Sequence, residues 1–99
     1  MSGQAISKLD AQHDYARYTN ITSSSLIETG QGTLQGVVIN SHSSGTLKFW
    51  DNTSAATTVI FNTITLGASE RWIDFFGAKF TTGLFVTIGG TADITVLWN

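Results

Sequence analysis

The sequence predicts an all-β protein, a single antiparallel β-sandwich of jelly-roll or Ig-like type with about seven strands and an extended N-terminal arm. Three observations carry that expectation. From Thr19 onward, Thr, Val, Ile and aromatic residues fall in short runs separated by Gly, Ser, Asn and Asp, at the spacing of strands and turns. Leu84, Val86 and Ile88 alternate with Phe85 and Thr87, and Ile94, Val96 and Trp98 alternate with Thr95 and Leu97, the period of half-buried strands. Beyond residue 20 no segment repeats its apolar residues at helical spacing, and the chain contains no Pro.

Residues 1–20 are assigned to the arm and residues 21–99 to the sandwich domain. The arm carries four formal charges, Lys8, Asp10, Asp14 and Arg17, and lacks strand alternation. Ile6, Leu9 and His13 fall at helical spacing, but the segment is short and has no convincing cap. Two readings stand for it. One is a disordered tail; the other is an anchor that orders against a neighbouring subunit or surface through Ile6, Leu9, Tyr15 and Tyr18, apolar groups in an otherwise polar segment.

The expected strands cover 22–28, 33–40, 46–51, 58–66, 71–75, 83–88 and 92–98. Gly30-Gln31-Gly32 separates the first pair. In the second strand Val37, Val38 and Ile39 run without alternation, which implies cover on both faces, and Gly36 marks a bulge or a close backbone approach. Ser41-His42-Ser43-Ser44-Gly45 has the chemistry of a hairpin loop leading into the third strand, where Leu47 and Phe49 face the core and Lys48 and Trp50 face outward. Asp51-Asn52-Thr53-Ser54 ends that strand with side chains suited to folding back on their own backbone. Gly89-Gly90 reads as a tight hairpin turn between the last two strands. The predicted core contains Leu34, Phe49, Ile64, Val86, Ile94 and Val96. Alternation leaves Trp50, Phe85 and Leu97 on the opposite face, where together they would form an oligomer interface.

Ninety-nine residues suffice for one core and not for two. Apolar residues make up 41% of the chain, with three Trp and six Phe, so the core needs no covalent staple; there is no Cys to supply one. The same absence excludes thiolate chemistry and Cys-ligated zinc. With 12% charged residues and a net charge of −2, nothing attracts nucleic acid or an anionic membrane. No apolar run is long enough to span a bilayer, and MSGQAISKLDAQ lacks a signal-peptide core, so a soluble protein made in the cytoplasm is expected.

Residues able to support chemistry are few. His13 and His42 are far apart and lack metal-ligand spacing, so both are read as solvated polar residues. Asp51, Asp74 and Asp93 lie near strand ends without the dense acid spacing of a calcium loop. Asp74 is expected to pair with a cation such as Arg71 or to lie at a rim. No GxSxG elbow is present, and Gly30, Gly32 and Gly36 precede a strand, not the helix that a phosphate loop requires. The residues support no enzyme, cofactor or metal site.

Gly32, Leu34, Gly36, Val37, the Trp50-Asp51-Asn52-Thr53 strand end, and the closing Gly83, Leu84, Val86, Gly90, Ala92, Asp93, Thr95 and Val96 form a pattern covering roughly residues 32–98. That pattern resembles small β-sandwich virion structural proteins of tailed bacteriophages. The resemblance implies a capsid decoration or cement protein, a head fibre or a small tail component, located in the virion. It implies a homo-oligomer, often a trimer, whose N-terminal segment docks on the major capsid protein or another virion protein. An adhesin-like carbohydrate- or receptor-binding sandwich is the alternative, with Trp50 or Trp72 stacking on a sugar ring.

Overall fold

Two long runs rich in β-branched and aliphatic residues dominate the architecture. The computed structural model describes residues 16–99, and it is all-β, a six-stranded antiparallel sheet with no helix among the described residues. The strands are β1 (Arg17–Ile21), β2 (Ser25–Thr29), β3 (Gly32–Trp50), β4 (Val59–Thr65), β5 (Trp72–Phe80) and β6 (Gly83–Trp98). β3 and β6 pair along their whole length, from Leu34↔Trp98 to Trp50↔Phe85. The first half of β3 is flanked by β5, and the last half of β6 by β1; the other halves are flanked by β4 and β2.

This topology corrects two expectations. Ser41 to Gly45 and Gly89-Gly90 do not reverse the chain: β3 and β6 stay paired through both, as in His42↔Ala92, Ser43↔Thr91 and Thr46↔Gly89. They bend the β3–β6 ribbon instead. The register slips between Ile39 and Ser41 and between Ser43 and Thr46, with Ser44 at φ 50° and Gly90 at φ 68°. A Cβ on Gly90 would stand 3.1 Å from the Ser43 carbonyl oxygen, so the corner needs a glycine there. The expected second and third strands are thus one strand, as are the sixth and seventh, which leaves five of the seven; β1, in the segment assigned to the arm, brings the number to six.

The bend is sharp. A straight strand of the length of β3 would reach about 60 Å. Yet Gly32, at its start, pairs with Phe80, and only Thr81 and Thr82 separate Phe80 from β6, whose Phe85 pairs with Trp50 at the end of β3. The two halves of the sheet therefore fold toward each other. Their apolar inner faces meet where Phe49 of β3 packs edge-on against Phe75 of β5, ring centroids 4.7 Å apart, and Phe61 of β4 packs on the same Phe75 at 4.5 Å. Leu34, Phe49, Val86, Ile94 and Val96 are buried as expected, while Ile64 is only partly buried at the edge of the core. Alternation is reset at Gly36, where the register shifts, so Leu34, Val37 and Ile39 all point inward.

A second correction concerns the arm. Arg17 to Asn20 belong to β1, which pairs with the end of β6 from Arg17↔Trp98 to Ile21↔Ile94. Arg17 stacks on Trp98 at 5.3 Å, and the Trp98 indole N–H donates to Thr19 Oγ1 at 3.3 Å. Tyr18 is consequently a sheet residue. Ile6, Leu9 and Tyr15 lie outside the described residues, as do His13 and Asp14.

Asp51 holds the end of β3 to the β5–β6 link. Its carboxylate accepts the backbone N–H groups of Thr82 (2.8 Å), Thr81 (3.0 Å) and Gly83 (3.3 Å) and the Thr81 hydroxyl (3.2 Å). Here the sequence expectation of a purely local turn holds for Asn52, which accepts the Thr53 N–H at 2.7 Å, but not for Asp51. Partial burial pushes the Asp51 pKa up, but the Thr82, Thr81 and Gly83 N–H groups and the Thr81 hydroxyl outweigh it and hold the carboxyl below its usual range. A folded-state pKa below the unfolded value gives stability that is present above the unfolded pKa of about 3.9 and is lost as pH falls through the folded value. Asp51→Asn should cost about 1 kcal/mol at pH 7, less than the usual range for a charged acceptor because solvent reaches the group. Urea titrations of both proteins at pH 7 and pH 2 check this, and the gap between them should shrink at the lower pH.

Candidate functional site

The polar side chains that could carry chemistry are engaged in structure. His42 Nδ1 accepts the Gly45 N–H at 3.2 Å, which places the ring proton on Nε2, 2.9 Å from the Gly67 carbonyl oxygen. It therefore ties the ribbon corner to the β4–β5 link, and is not the free solvated residue the sequence suggests. Asp74 accepts the Phe76 N–H at 2.8 Å and forms no ion pair among the described residues, where the one salt bridge is Arg17–Glu28 at 4.0 Å. No group of three or more His, Asp or Glu gathers among the described residues. A shallow open depression beside Phe80, bordered by Gln31, Thr33, Lys79 and Thr81, has one charged group and no partner for it in the rim.

The unusual features are apolar and face outward. Cross-strand partners share a face, and the register aligns Leu26 of β2, Phe85 of β6, Trp50 of β3 and Val59 of β4 in one row across four strands. Leu26 and Val59 at the ends are exposed; Phe85 and Trp50 between them are half-buried. The Lys48 ammonium lies 4.3 Å from the Trp50 ring centroid, and the Trp50 indole N–H donates to Thr87 Oγ1 at 2.9 Å. Trp50 is held in place by these contacts with its ring presented outward.

Of the three residues expected to form one interface, the structure brings Trp50 and Phe85 together and separates Leu97 from them. Leu97 lies beyond the ribbon bend, in register with Gly36 on one side and Tyr18 on the other. Trp72 of β5 joins it: a Cβ on Gly36 would stand 2.6 Å from Trp72 Cζ2, so the indole reaches across to β3 and lies against the backbone there. The glycine makes room for the ring. The outer surface thus has two apolar areas, one on each half of the sheet.

Phe76 is the residue that sequence reasoning missed. It is 87% exposed at φ 58°, followed by Gly77 at φ 70°, in a bulge of β5 between Asp74↔Gly36 and Ala78↔Leu34. A bulky residue in the left-handed region costs about 1–2 kcal/mol, and here no burial offsets it. The signal was present as Phe75-Phe76-Gly77, since two successive aromatics followed by Gly break strand alternation. Phe76→Gly should leave the isolated protein as stable or up to about 1 kcal/mol more stable, because glycine adopts this backbone freely. A rise in thermal midpoint together with weaker binding to an assembly partner would identify Phe76 as a contact residue; a fall in the midpoint would show that the ring supports the fold.

Comparison with known proteins finds no matching family, no matching characterised protein and no matching solved structure.

Proposed function

We propose that this chain is a non-enzymatic structural protein of a bacteriophage particle, a capsid decoration or cement protein whose folded-over sheet is a β-sandwich of jelly-roll or Ig-like type. The observation that carries this reading is the outward row Leu26–Phe85–Trp50–Val59, aliphatic at both ends and aromatic at its centre. A contiguous outward apolar strip with a half-buried Trp at its centre is the composition of an interface core. The resemblance of residues 32–98 to virion β-sandwich proteins gives that interface its setting. In this reading the row joins copies of the chain into a homo-oligomer, a trimer by the same resemblance with the rows meeting at its three-fold axis, and Phe76 together with the segment bearing Ile6, Leu9 and Tyr15 seats the oligomer on the major capsid protein or another virion protein.

Light scattering on the purified protein at tens of micromolar tests the first half, with an oligomeric mass expected and a monomeric mass overturning it. Sedimentation with purified phage shells tests the second. Saturable binding at a fixed ratio to capsid subunits is expected, and absence of co-sedimentation with the shells of the source phage would overturn the decoration role.

A further inference from the structure

The outer surface of the half built from β1, β6, β3 and β5 differs from the Trp50 row in having a polar lane beside its apolar one. Tyr18, Leu97 and the Trp72 ring over Gly36 form the apolar lane across β1, β6 and β3, with Tyr18 76% and Trp72 46% exposed. Two strand spacings separate Tyr18 from the Gly36 position, about 10 Å. Alongside run Asn20, Asp93 and Asn40. They share the outward face because Ile21, Ile94 and Ile39, their sequence neighbours, are buried.

The hydrogen bonds of the polar lane fix which atoms are free. Asn20 Nδ2 donates to Asp93 Oδ1 at 2.7 Å and to the Ile94 carbonyl at 2.9 Å, and Asn40 Nδ2 donates to the same Asp93 oxygen and to Thr95 Oγ1, both at 3.2 Å. Flipping either amide would set oxygen against a carboxylate, so both amide oxygens are committed to point away from it. Those two oxygens and Asp93 Oδ2 accept no hydrogen bond from the described residues, and none is a buried atom lacking a partner. The result is a row of open acceptors beside a row of exposed rings.

We infer that this face binds a neutral oligosaccharide, with pyranose rings stacked on Trp72 and Tyr18 and hydroxyl groups donating to Asn20, Asn40 and Asp93. A sugar ring has one apolar face of C–H groups and an edge of O–H donors, and the two lanes match those two sides. Lysine-rich ligands fit less well, since Asp93 already receives two amide donors and Asp74 the Phe76 N–H. The Trp72 ring already lies against the Gly36 backbone without a ligand, which lowers the side-chain ordering that opposes binding. This site lies apart from the Trp50 row and stands whether or not that row joins subunits.

Titration of the full-length protein with maltotriose, cellotriose and triacetylchitotriose, followed by the indole N–H signals in a 15N correlation spectrum, tests the proposal. At least one of these sugars should shift the Trp72 signal in a saturable manner and leave that of Trp50 in place. Trp72→Ala should weaken that sugar about tenfold or more and Asn40→Ala several-fold, while Trp72→Phe retains most of the binding. Trp50→Lys, on the other half of the sheet, should bind the sugar normally. No saturable shift with any of the three at 10 mM, an unchanged affinity in Trp72→Ala, or binding of trilysine in place of the sugars would each overturn it. So would a Trp72→Ala chain that changes its sedimentation coefficient while no sugar binds, which would make this face a contact between copies.

Discussion

Truncating Phe49 to Ala should lower the stability of the protein by about 3–5 kcal/mol, a large share of the roughly 5–15 kcal/mol that holds a domain of this size together. Phe49 is fully buried, in register with Val86 on β6 and Phe61 on β4, and its ring packs edge-on to Phe75 at 4.7 Å. It is therefore at the point where the two halves of the sheet meet. The substitution removes the ring by which one inner face meets Phe75 of the other, and the bent ribbon limits how far the two can collapse into the space. Urea denaturation monitored by Trp fluorescence measures the loss. A change under 1 kcal/mol would mean that the halves do not close over Phe49, and the folded-over arrangement would be wrong.

The residues that face inward were legible because alternation survives any topology. Leu34, Leu47, Phe49, Val86, Ile94 and Val96 point inward whether their strands form hairpins or one bent ribbon. Chain direction was not legible. Ser41 to Gly45 and Gly89-Gly90 carry the small polar residues and the positive-φ glycine of reversing turns, and the same chemistry builds paired bulges that bend two strands without reversing either. Which of these forms depends on pairing partners far away in sequence, and no local pattern encodes that. Tyr18 was placed in the arm for a related reason: β1 has a charged Arg17 where alternation asks for an apolar residue, and only the Trp98 ring beneath it explains the exchange.

The outward site was legible in part. Alternation set Trp50, Phe85 and Leu97 on the face away from the core, where all three are half-buried, but a shared face in sequence terms extends along a strand, and the ribbon bend divides it. Leu26 and Val59, which complete the Trp50 row, sit beside bulges in β2 and β4 that scramble the period on which such a reading depends. Phe76 escaped because its exposure comes from backbone conformation and not from its place in an alternating pattern.

The Trp50 row yields the largest expected functional effect: Trp50→Lys should convert an oligomer into monomers. The substitution sets a second ammonium beside Lys48, whose charge now rests 4.3 Å from the Trp50 ring, at the centre of a row flanked by Phe85 and Val59. Burying either ammonium unpaired against the same row of a neighbouring copy costs several kcal/mol. Every subunit contact would carry that cost, because each copy contributes the same residue. The fold should survive, since Trp50 points away from the core; losing its hydrogen bond to Thr87 and its contact with Lys48 should cost about 1–2 kcal/mol. Light scattering and thermal denaturation on one preparation separate the two effects. A monomer with a thermal midpoint close to that of the unmodified chain is expected. An oligomer of unchanged mass would show that the row lies outside the subunit contact, and the contact would then have to be sought at Phe76 or in the Trp72 face.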